Sequence, residues 1–122
     1  MKKILIVEDS STMRNLLQFS LSRIKNVEIT ASVHGVDALR KISKSFFDLI
    51  ITDINMPFMD GLKLIRSVKE KKEYSEVPII IITTRGQDED RERGLRLGAS
   101  AYLSKPVKTF ELLKVVRGFL DV

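Results

Sequence analysis

Cysteine and tryptophan are absent from this 122-residue sequence, and histidine occurs once, at His34. Without cysteine, the chain can form neither disulfides nor thiolate metal sites. Zinc and copper are poor candidates as well, because both metals favour nitrogen and sulfur ligands. His34 opens the second helical region, and we interpret it as a solvated surface residue rather than a ligand. Any metal bound here is therefore expected to be held by oxygen.

Long apolar runs are also missing. The apolar stretch that follows Met1-Lys2-Lys3 is four residues long, Ile4–Val7, which is too short for a signal-peptide core or a membrane span. The composition, 43% hydrophobic and 30% charged, is that of a globular protein rather than a disordered one. We therefore expect one cytoplasmic domain covering residues 1–122, with no output domain and no membrane contact.

The net charge of +5 is unevenly distributed. Residues 1–61 carry 8 basic and 7 acidic side chains, whereas residues 62–122 carry 13 and 9. A solvated mixed-charge surface explains this excess better than a basic face for an acidic partner. Because no basic stripe is interleaved with aromatic residues, direct nucleic-acid binding is not expected.

Two hydrophobic periods alternate along the chain. Continuous apolar runs of strand length recur at Lys3–Val7, Val27–Ser32, Asp48–Thr52, Pro78–Thr83 and Ala101–Ser104. Between them lie helical stripes formed by Met13, Leu16, Leu17, Leu21 and Ile24, by Ala38, Leu39, Ile42 and Phe46, by Leu62, Ile65 and Val68, and by Leu112, Leu113, Val116 and Leu120. Ser10, Ser11 or Thr12 can cap the first helix.

The fourth helix, predicted over Gln87–Gly98, is the weakest, because Gly94 interrupts it and only Leu95 and Leu97 are apolar. Five strand–helix units in succession predict an α/β protein with a doubly wound five-stranded parallel sheet and five helices, in the flavodoxin-like order 2-1-3-4-5.

Acidic residues follow two strands that this order makes neighbours. Glu8 and Asp9 come after the first apolar run, and Asp53 comes after the third. Ligands of such sheets bind beyond the carboxyl ends of the strands, where the strand order reverses. Each acid alone could cap a helix or face solvent. That reading explains poorly why both strands at the switch point end in acids, with no arginine nearby in sequence to pair them.

Clustered carboxylates resist joint ionisation unless a cation compensates them, and Mg²⁺ suits an all-oxygen site. With the metal bound, one carboxylate can attack phosphorus and form an aspartyl phosphate. Lys105 can supply a second cation at the same edge, and the Thr83 hydroxyl can donate to a phosphoryl oxygen. Read singly, Lys105 is a surface lysine before a turn proline and Thr83 an ordinary strand-end residue. Their convergence favours the site.

These residues resemble the receiver domain of bacterial two-component response regulators over essentially the whole chain. The resemblance rests on Val7-Glu8-Asp9-Ser10, the Asp53…Met56-Pro57-Phe58-Met59-Asp60-Gly61 block, Pro78-Ile79-Ile80-Ile81-Ile82-Thr83, and Gly98-Ala99-Ser100-Ala101-Tyr102-Leu103-Ser104-Lys105-Pro106. All four in order at these spacings are highly specific. Ser11-Thr12-Met13-Arg14 leans toward the chemotaxis (CheY-like) branch.

The resemblance implies a role for each site residue. Asp53 is the phosphoacceptor and Lys105, with a cis bond to Pro106, pairs with the phosphate. The metal, Mg²⁺ with Mn²⁺ as a possible substitute, is bound by Asp53, by Asp9 directly, by Glu8 through water and by the backbone carbonyl of Asn55. Thr83 and Tyr102 form the switch pair.

The resemblance also implies the partners. A histidine kinase donates the phosphoryl group, and the signal passes to a protein target through the surface formed by the fourth helix, fifth strand and fifth helix. The chain is expected to be a monomer or weak dimer. It is not an enzyme for external substrates, since it catalyses only its own phosphotransfer and dephosphorylation.

Several positions depart from the family pattern or need their own interpretation. Glu8 stands where aspartate is common, and the bulk of Thr84 is expected to slow phosphodonor access. Asn55 and Arg85 occupy positions that tune the lifetime of the phosphoryl group. The remaining loop residues Met56, Phe58 and Met59 are predicted to pack the loop below Asp53, and Asp60-Gly61 is predicted to form a turn.

Two other functions stay open at this point. The first is a metal-dependent phosphohydrolase with an aspartyl intermediate. The acid/base residue of such enzymes would stand at Asn55, which cannot transfer protons, and the chain has no cap insertion. The second is a docking module in which phosphorylation is vestigial; filled catalytic positions argue against it.

Overall fold

The computed structural model describes residues 1–56, 58–84 and 88–122. Within these residues, strands and helices alternate as the apolar periods predict. The elements in chain order are β1 (Lys2–Val7), α1 (Ser11–Leu21), β2 (Val27–Ser32), α2 (Gly35–Lys44), β3 (Leu49–Asp53), α3 (Gly61–Lys69), β4 (Ile79–Thr83), α4 (Asp88–Leu97), β5 (Ala101–Ser104) and α5 (Thr109–Leu120). A short 3₁₀ turn, Lys72–Tyr74, precedes β4.

The strands form one parallel sheet in the order β2-β1-β3-β4-β5. Every residue of β3 and β4 is buried, as expected for strands covered on both faces. The register pairs Val7 with Thr52 and Thr83 with Ser104. The carboxyl ends of β1, β3, β4 and β5 therefore share one edge, and the predicted fold is confirmed.

The helices cover the sheet in two layers. Side chains of α2 and α3 pack on one face, and side chains of α1 and α5 pack on the other. The α4 helix lies on the α3 side, where its Gly94 approaches Ile81 of β4. In the described part of the chain, no helix combines the length and the apolar character that a membrane span requires.

One detail of the second helix was predicted wrongly. Phe46 does not belong to its apolar stripe, because the helix ends at Lys44 and Ser45 is extended (φ −143°, ψ 152°). Phe46 is 47% exposed, and Phe47 takes the core position instead. His34 is only partly solvated, because it is half-buried and its Nδ1 accepts a hydrogen bond from the Asp37 N–H at 3.1 Å as the N-cap.

The fourth helix buries Gly94 and no other described residue, as its sparse apolar pattern predicted. Gly94 is more than an interruption, however. A Cβ at this position would collide with the side chain of Ile81, so the glycine lets the helix lie close to the sheet. Gln87, the predicted first residue, lies outside the described residues.

Candidate functional site

Three carboxylates meet at the carboxyl edge of the sheet. Glu8 and Asp9 follow β1, Asp53 ends the adjacent β3, and one oxygen from each lies within 4.8 Å of the others. Glu8 is 1% exposed and Asp53 5%, whereas Asp9 is open to solvent. The strand register brings them together, as the reversal of strand order predicted.

Backbone groups hold these acids in place. The Glu8 N–H donates to the Ser32 carbonyl at 3.0 Å, and the Glu8 carboxylate accepts from the Ser10 N–H at 3.1 Å. Oδ1 of Asp53 accepts from the Ile54 N–H at 2.8 Å. Because Oδ1 of Asp53 is used by this hydrogen bond, Oδ2 is the oxygen that faces Lys105.

An arginine lies close to the acids, although sequence reasoning found none near enough to pair them. The Arg14 guanidinium donates to the backbone carbonyl oxygens of Glu8 and Asp9, at 2.9 and 3.0 Å. Because it binds carbonyls and not carboxylates, it fixes the acidic turn without neutralising its side chains. Because the acceptors are backbone carbonyls, no side-chain pattern in the sequence identifies this contact.

Among the described residues, Lys105 supplies the cation that reaches the carboxylates. Its Nζ lies 3.0 Å from Oδ2 of Asp53 and 3.4 Å from Oε1 of Glu8. The bond to Pro106 is cis, as predicted, and the Lys105 N–H donates to the Thr83 carbonyl at 2.7 Å. Burial lowers the pKa of the ammonium, but the hydrogen bond and charge of Asp53, followed by Glu8, outweigh burial and raise the pKa above its usual value.

Glu8 lacks full compensation. Burial raises the pKa of its carboxyl to about 7, and the negative charge of Asp53 adds to this rise. The hydrogen bond from the Ser10 N–H and the positive charge of Lys105 lower the pKa, but they do not cancel the rise. Among the described residues, its Oε1 has the 3.4 Å ion pair but no hydrogen bond of good geometry. A buried carboxylate oxygen without a hydrogen bond, in a cluster of three acids, fits a hard divalent cation that prefers oxygen.

The predicted switch residues lie on neighbouring strands. Thr83 ends β4 and is buried, whereas Tyr102 lies on β5 opposite Ile81 and is 40% exposed. The guanidinium of Arg91, on α4, lies 4.4 Å from the centre of the Tyr102 ring. Arg91 also forms an ion pair of 3.2 Å with Asp88. The outward Tyr102 ring is thus covered by a residue of α4.

The connection between β3 and α3 separates the predicted packing residues. Met56 and Met59 pack against the core, as predicted. The prediction for Phe58 was wrong, because its side chain is 85% exposed and its backbone is left-handed, with φ at +69°. That conformation carries the side chain away from the core.

The same connection ends in the predicted turn. Asp60 caps α3 by accepting from the Lys63 N–H at 2.9 Å. A Cβ at Gly61 would collide with the Asp53 carbonyl oxygen, so this glycine lets α3 begin against the strand end that carries Asp53. Asn55 and Thr84 are exposed. Pro57 and Arg85 lie outside the described residues, so the role predicted for Arg85 stays a prediction.

Comparison with known proteins gives the family. The model of the response regulator receiver domain matches residues 4–117, and the chain belongs to this family. Receiver domains are phosphorylated by histidine kinases, bind Mg²⁺ at an acidic pocket and pass signals to output partners.

Individual relatives refine the family to a CheY-like receiver domain of two-component signalling. The chain is 38% identical to chemotaxis protein CheY1 of Helicobacter pylori over 123 residues, covering 98% of this chain and 99% of the relative. It superposes on CheY4 of Vibrio cholerae with a TM-score of 0.89 at 34% identity, covering 98% of each chain.

A third relative contains a metal. The receiver domain of the sensor histidine kinase PA1611 from Pseudomonas aeruginosa carries a magnesium ion coordinated in its active-site cleft. It matches with a TM-score of 0.89 at 28% identity, covering 99% of this chain and 98% of the other. Together these comparisons favour a phosphorylation-activated switch over a phosphohydrolase.

Proposed function

We propose that Asp53 accepts a phosphoryl group from the phosphohistidine of a histidine kinase. A carboxylate oxygen of Asp53 attacks phosphorus, the P–N bond breaks, and its electron pair stays on the imidazole nitrogen. The observation that carries this proposal is the position of Asp53, 3.0 Å from the Lys105 ammonium and inside a cluster of three acids. Water later attacks the acyl phosphate and restores the carboxylate, so the chain acts on its own phosphoryl group alone.

Glu8, Asp9, Asp53 and the backbone carbonyl of Asn55 would hold Mg²⁺, or Mn²⁺ in its place. The bound cation would supply positive charge to the phosphoryl oxygens during transfer. The proposal is supported by the oxygen-only donor set and by the buried Glu8 oxygen that lacks a hydrogen bond. Lys105 would move from Asp53 Oδ2 to a phosphoryl oxygen, because both present a negative charge to the same ammonium.

Thr83 and Tyr102 would carry the signal to the surface of α4, β5 and α5. The buried Thr83 hydroxyl would donate to the phosphoryl group, and the Tyr102 ring would move into the space that Thr83 leaves. This proposal is supported by the outward Tyr102 ring and by the small buried area of α4. An output protein would bind the changed surface. We further propose that residues 1–122 act in the cytoplasm as one receiver unit, monomeric or weakly dimeric.

The direct test is incubation with acetyl phosphate and Mg²⁺, followed by intact-mass measurement. We expect one phosphoryl adduct per chain, and hydroxylamine should remove it. When EDTA is present during the incubation, no adduct should form. Asp53→Ala should abolish the adduct. The matched control is Asp60→Asn in the same connection, since asparagine also caps helices well; this variant should be phosphorylated normally. An adduct that persists in Asp53→Ala contradicts the proposal.

A further inference from the structure

Phe58 has an unusual combination of properties for a phenylalanine. Its side chain is 85% exposed, and its φ of +69° lies in the left-handed region that disfavours residues with a Cβ. Glycine or asparagine would adopt this conformation with less strain. The chain therefore holds a large aromatic ring in water at a position where a small residue would be more stable, and such outliers concentrate at functional sites.

The ring is not required to hold its own loop in place. The Gly61 N–H donates to the Ile54 carbonyl at 2.7 Å and closes the loop. Met59 packs beside Gly35, where an added Cβ would lie 2.9 Å from the methionine sulfur. These contacts anchor the backbone on the C-terminal side of Phe58, so the exposed ring is free for another purpose.

The Phe58 ring contacts His34, which lies between β2 and α2, and two residues near His34 in the chain are also exposed. Its ring meets the His34 ring edge to face, with centroids 5.3 Å apart and planes at 74°. The His34 ring is fixed by its hydrogen bond from the Asp37 N–H. Val33 is 43% exposed and Val36 50%. We refer to Val33, His34, Val36 and Phe58 as the aromatic corner.

The aromatic corner lies at the edge of the sheet that carries the phosphoacceptor. Phe58 is in the connection that begins at Asp53, and His34 follows Ser32, whose carbonyl binds the Glu8 N–H. Asp53 is only 5% exposed, so a phosphohistidine on a protein must be brought down onto this edge. Strand β4 separates β3 from β5 in the sheet, which places the corner away from the proposed output surface.

We infer that the aromatic corner is a contact for the protein phosphodonor, with Phe58 as a residue that determines donor specificity. This inference rests on the proposed function. Exposed aromatic anchors supply much of the binding energy in protein interfaces. We expect a small donor such as acetyl phosphate to reach Asp53 without contacting the corner, whereas a kinase that presents phosphohistidine would cover the surface around the site.

The test compares two donors on the same variants. The small donor is acetyl phosphate, and the protein donor is the purified histidine kinase of the source organism that phosphorylates the wild-type chain fastest. For Phe58→Gly we expect kcat/KM with the kinase to fall at least about fivefold, since loss of an interface anchor exceeds 1 kcal/mol. The rate with acetyl phosphate should stay within twofold, and Tm should equal or exceed that of the wild type.

Two further variants complete the design. Phe58→Tyr keeps the aromatic ring and should retain the kinase rate. Phe46→Ala removes a half-exposed aromatic residue at the other end of α2 and should leave the ratio of the two rates unchanged. If Phe58→Gly slows both donors equally, or neither, the inference is overturned. It is also overturned if the variant alters only binding of the phosphorylated chain to an output protein. Failure of acetyl phosphate to modify the wild type contradicts the proposed function instead.

Discussion

Helices α3 and α4 lie on the same face of the sheet and have nearly the same length, but they differ in how they are held. The α3 helix buries Leu64, Ile65 and Val68 along with Gly61, whereas α4 buries Gly94 alone among its described residues. Each fully buried aliphatic side chain contributes roughly 1.5–3 kcal/mol. The helix that follows Asp53 is thus firmly attached, whereas α4, which is part of the proposed output surface, is held by far fewer buried side chains.

We interpret this difference as a division of roles between the rigid surroundings of Asp53, where phosphorylation is proposed, and the more loosely held α4, where the signal is proposed to be passed on. A phosphoacceptor needs fixed partners, and Asp53, the proposed phosphoacceptor, is held by Ile54, Lys105 and the close approach of Gly61. A switching surface needs an element that can shift at low energy, and elements with few buried contacts open most readily. The predictions below test this contrast, in order of decreasing effect.

Truncation of the core should distinguish the two helices most strongly. Ile65→Ala in α3 should lower the free energy of unfolding by about 2–5 kcal/mol, because it leaves a cavity in a fully buried site. Leu95→Ala in α4 should lower it by less than about 1 kcal/mol, since Leu95 is 38% exposed. Urea denaturation measures both values. Similar losses for the two variants would contradict the contrast.

Two helical glycines offer a matched test of how α4 approaches the sheet. Gly94→Ala should destabilise the protein by about 1–3 kcal/mol, because the new methyl group collides with Ile81. Gly118→Ala in α5 should stabilise it by up to about 1 kcal/mol, since its Cβ would meet open space. Thermal unfolding of both variants decides the question, and stabilisation by Gly94→Ala would mean that α4 does not pack closely on β4.

The pKa of Glu8 predicts how proposed Mg²⁺ binding depends on pH. Because burial raises the pKa to about 7, the carboxyl gains a proton as pH falls below 7, and the proton competes with the metal. The Mg²⁺ affinity should therefore be greatest above pH 7 and should fall below it by at most about tenfold per pH unit for one proton. Titration calorimetry at several pH values measures this slope. In Glu8→Gln the slope below about pH 7, the raised pKa of Glu8, should disappear, and a slope that persists there would assign the proton to another group.

The smallest effect on stability is expected when Arg91, which lies over the Tyr102 ring, is replaced. Arg91→Ala removes a cation over the ring, and such contacts contribute about 0.5–1 kcal/mol at exposed sites. Stability should change little, but the NMR chemical shifts of the Tyr102 ring should move toward those of the phosphorylated protein. The control Arg93→Ala, an exposed residue on the same helix, should leave the ring shifts unchanged. Unchanged shifts in Arg91→Ala would show that Arg91 does not hold the ring outward.

The sequence predicted the sheet and the arrangement of Glu8, Asp53 and Lys105 because these follow from apolar runs and strand order. A residue that follows a buried strand of a parallel sheet must lie at the carboxyl edge of that sheet. By contrast, the predicted apolar stripe of the second helix included Phe46, although the helix ends before Ser45. Hydrophobic spacing alone does not show where a helix ends.

Loop conformation and close packing were less predictable. Phe58 was expected to pack inward because its neighbours do, but its left-handed backbone reverses its direction. Gly94 looked like a weakness in a helix, and its role as a contact depends on the distance to Ile81. Arg14 binds carbonyl groups that have no sequence signature. Each of these features depends on tertiary geometry that a linear pattern does not contain.

A crystal structure with Mg²⁺ and beryllofluoride, a phosphoryl mimic, tests the central claim most directly. We predict beryllium bonded to a carboxylate oxygen of Asp53, Mg²⁺ among Glu8, Asp9 and Asp53, and Lys105 on a fluoride. The α3 helix should keep its place while α4 and Tyr102 shift. Beryllofluoride bound elsewhere, or Lys105 still paired with a free Asp53 carboxylate, would contradict the account.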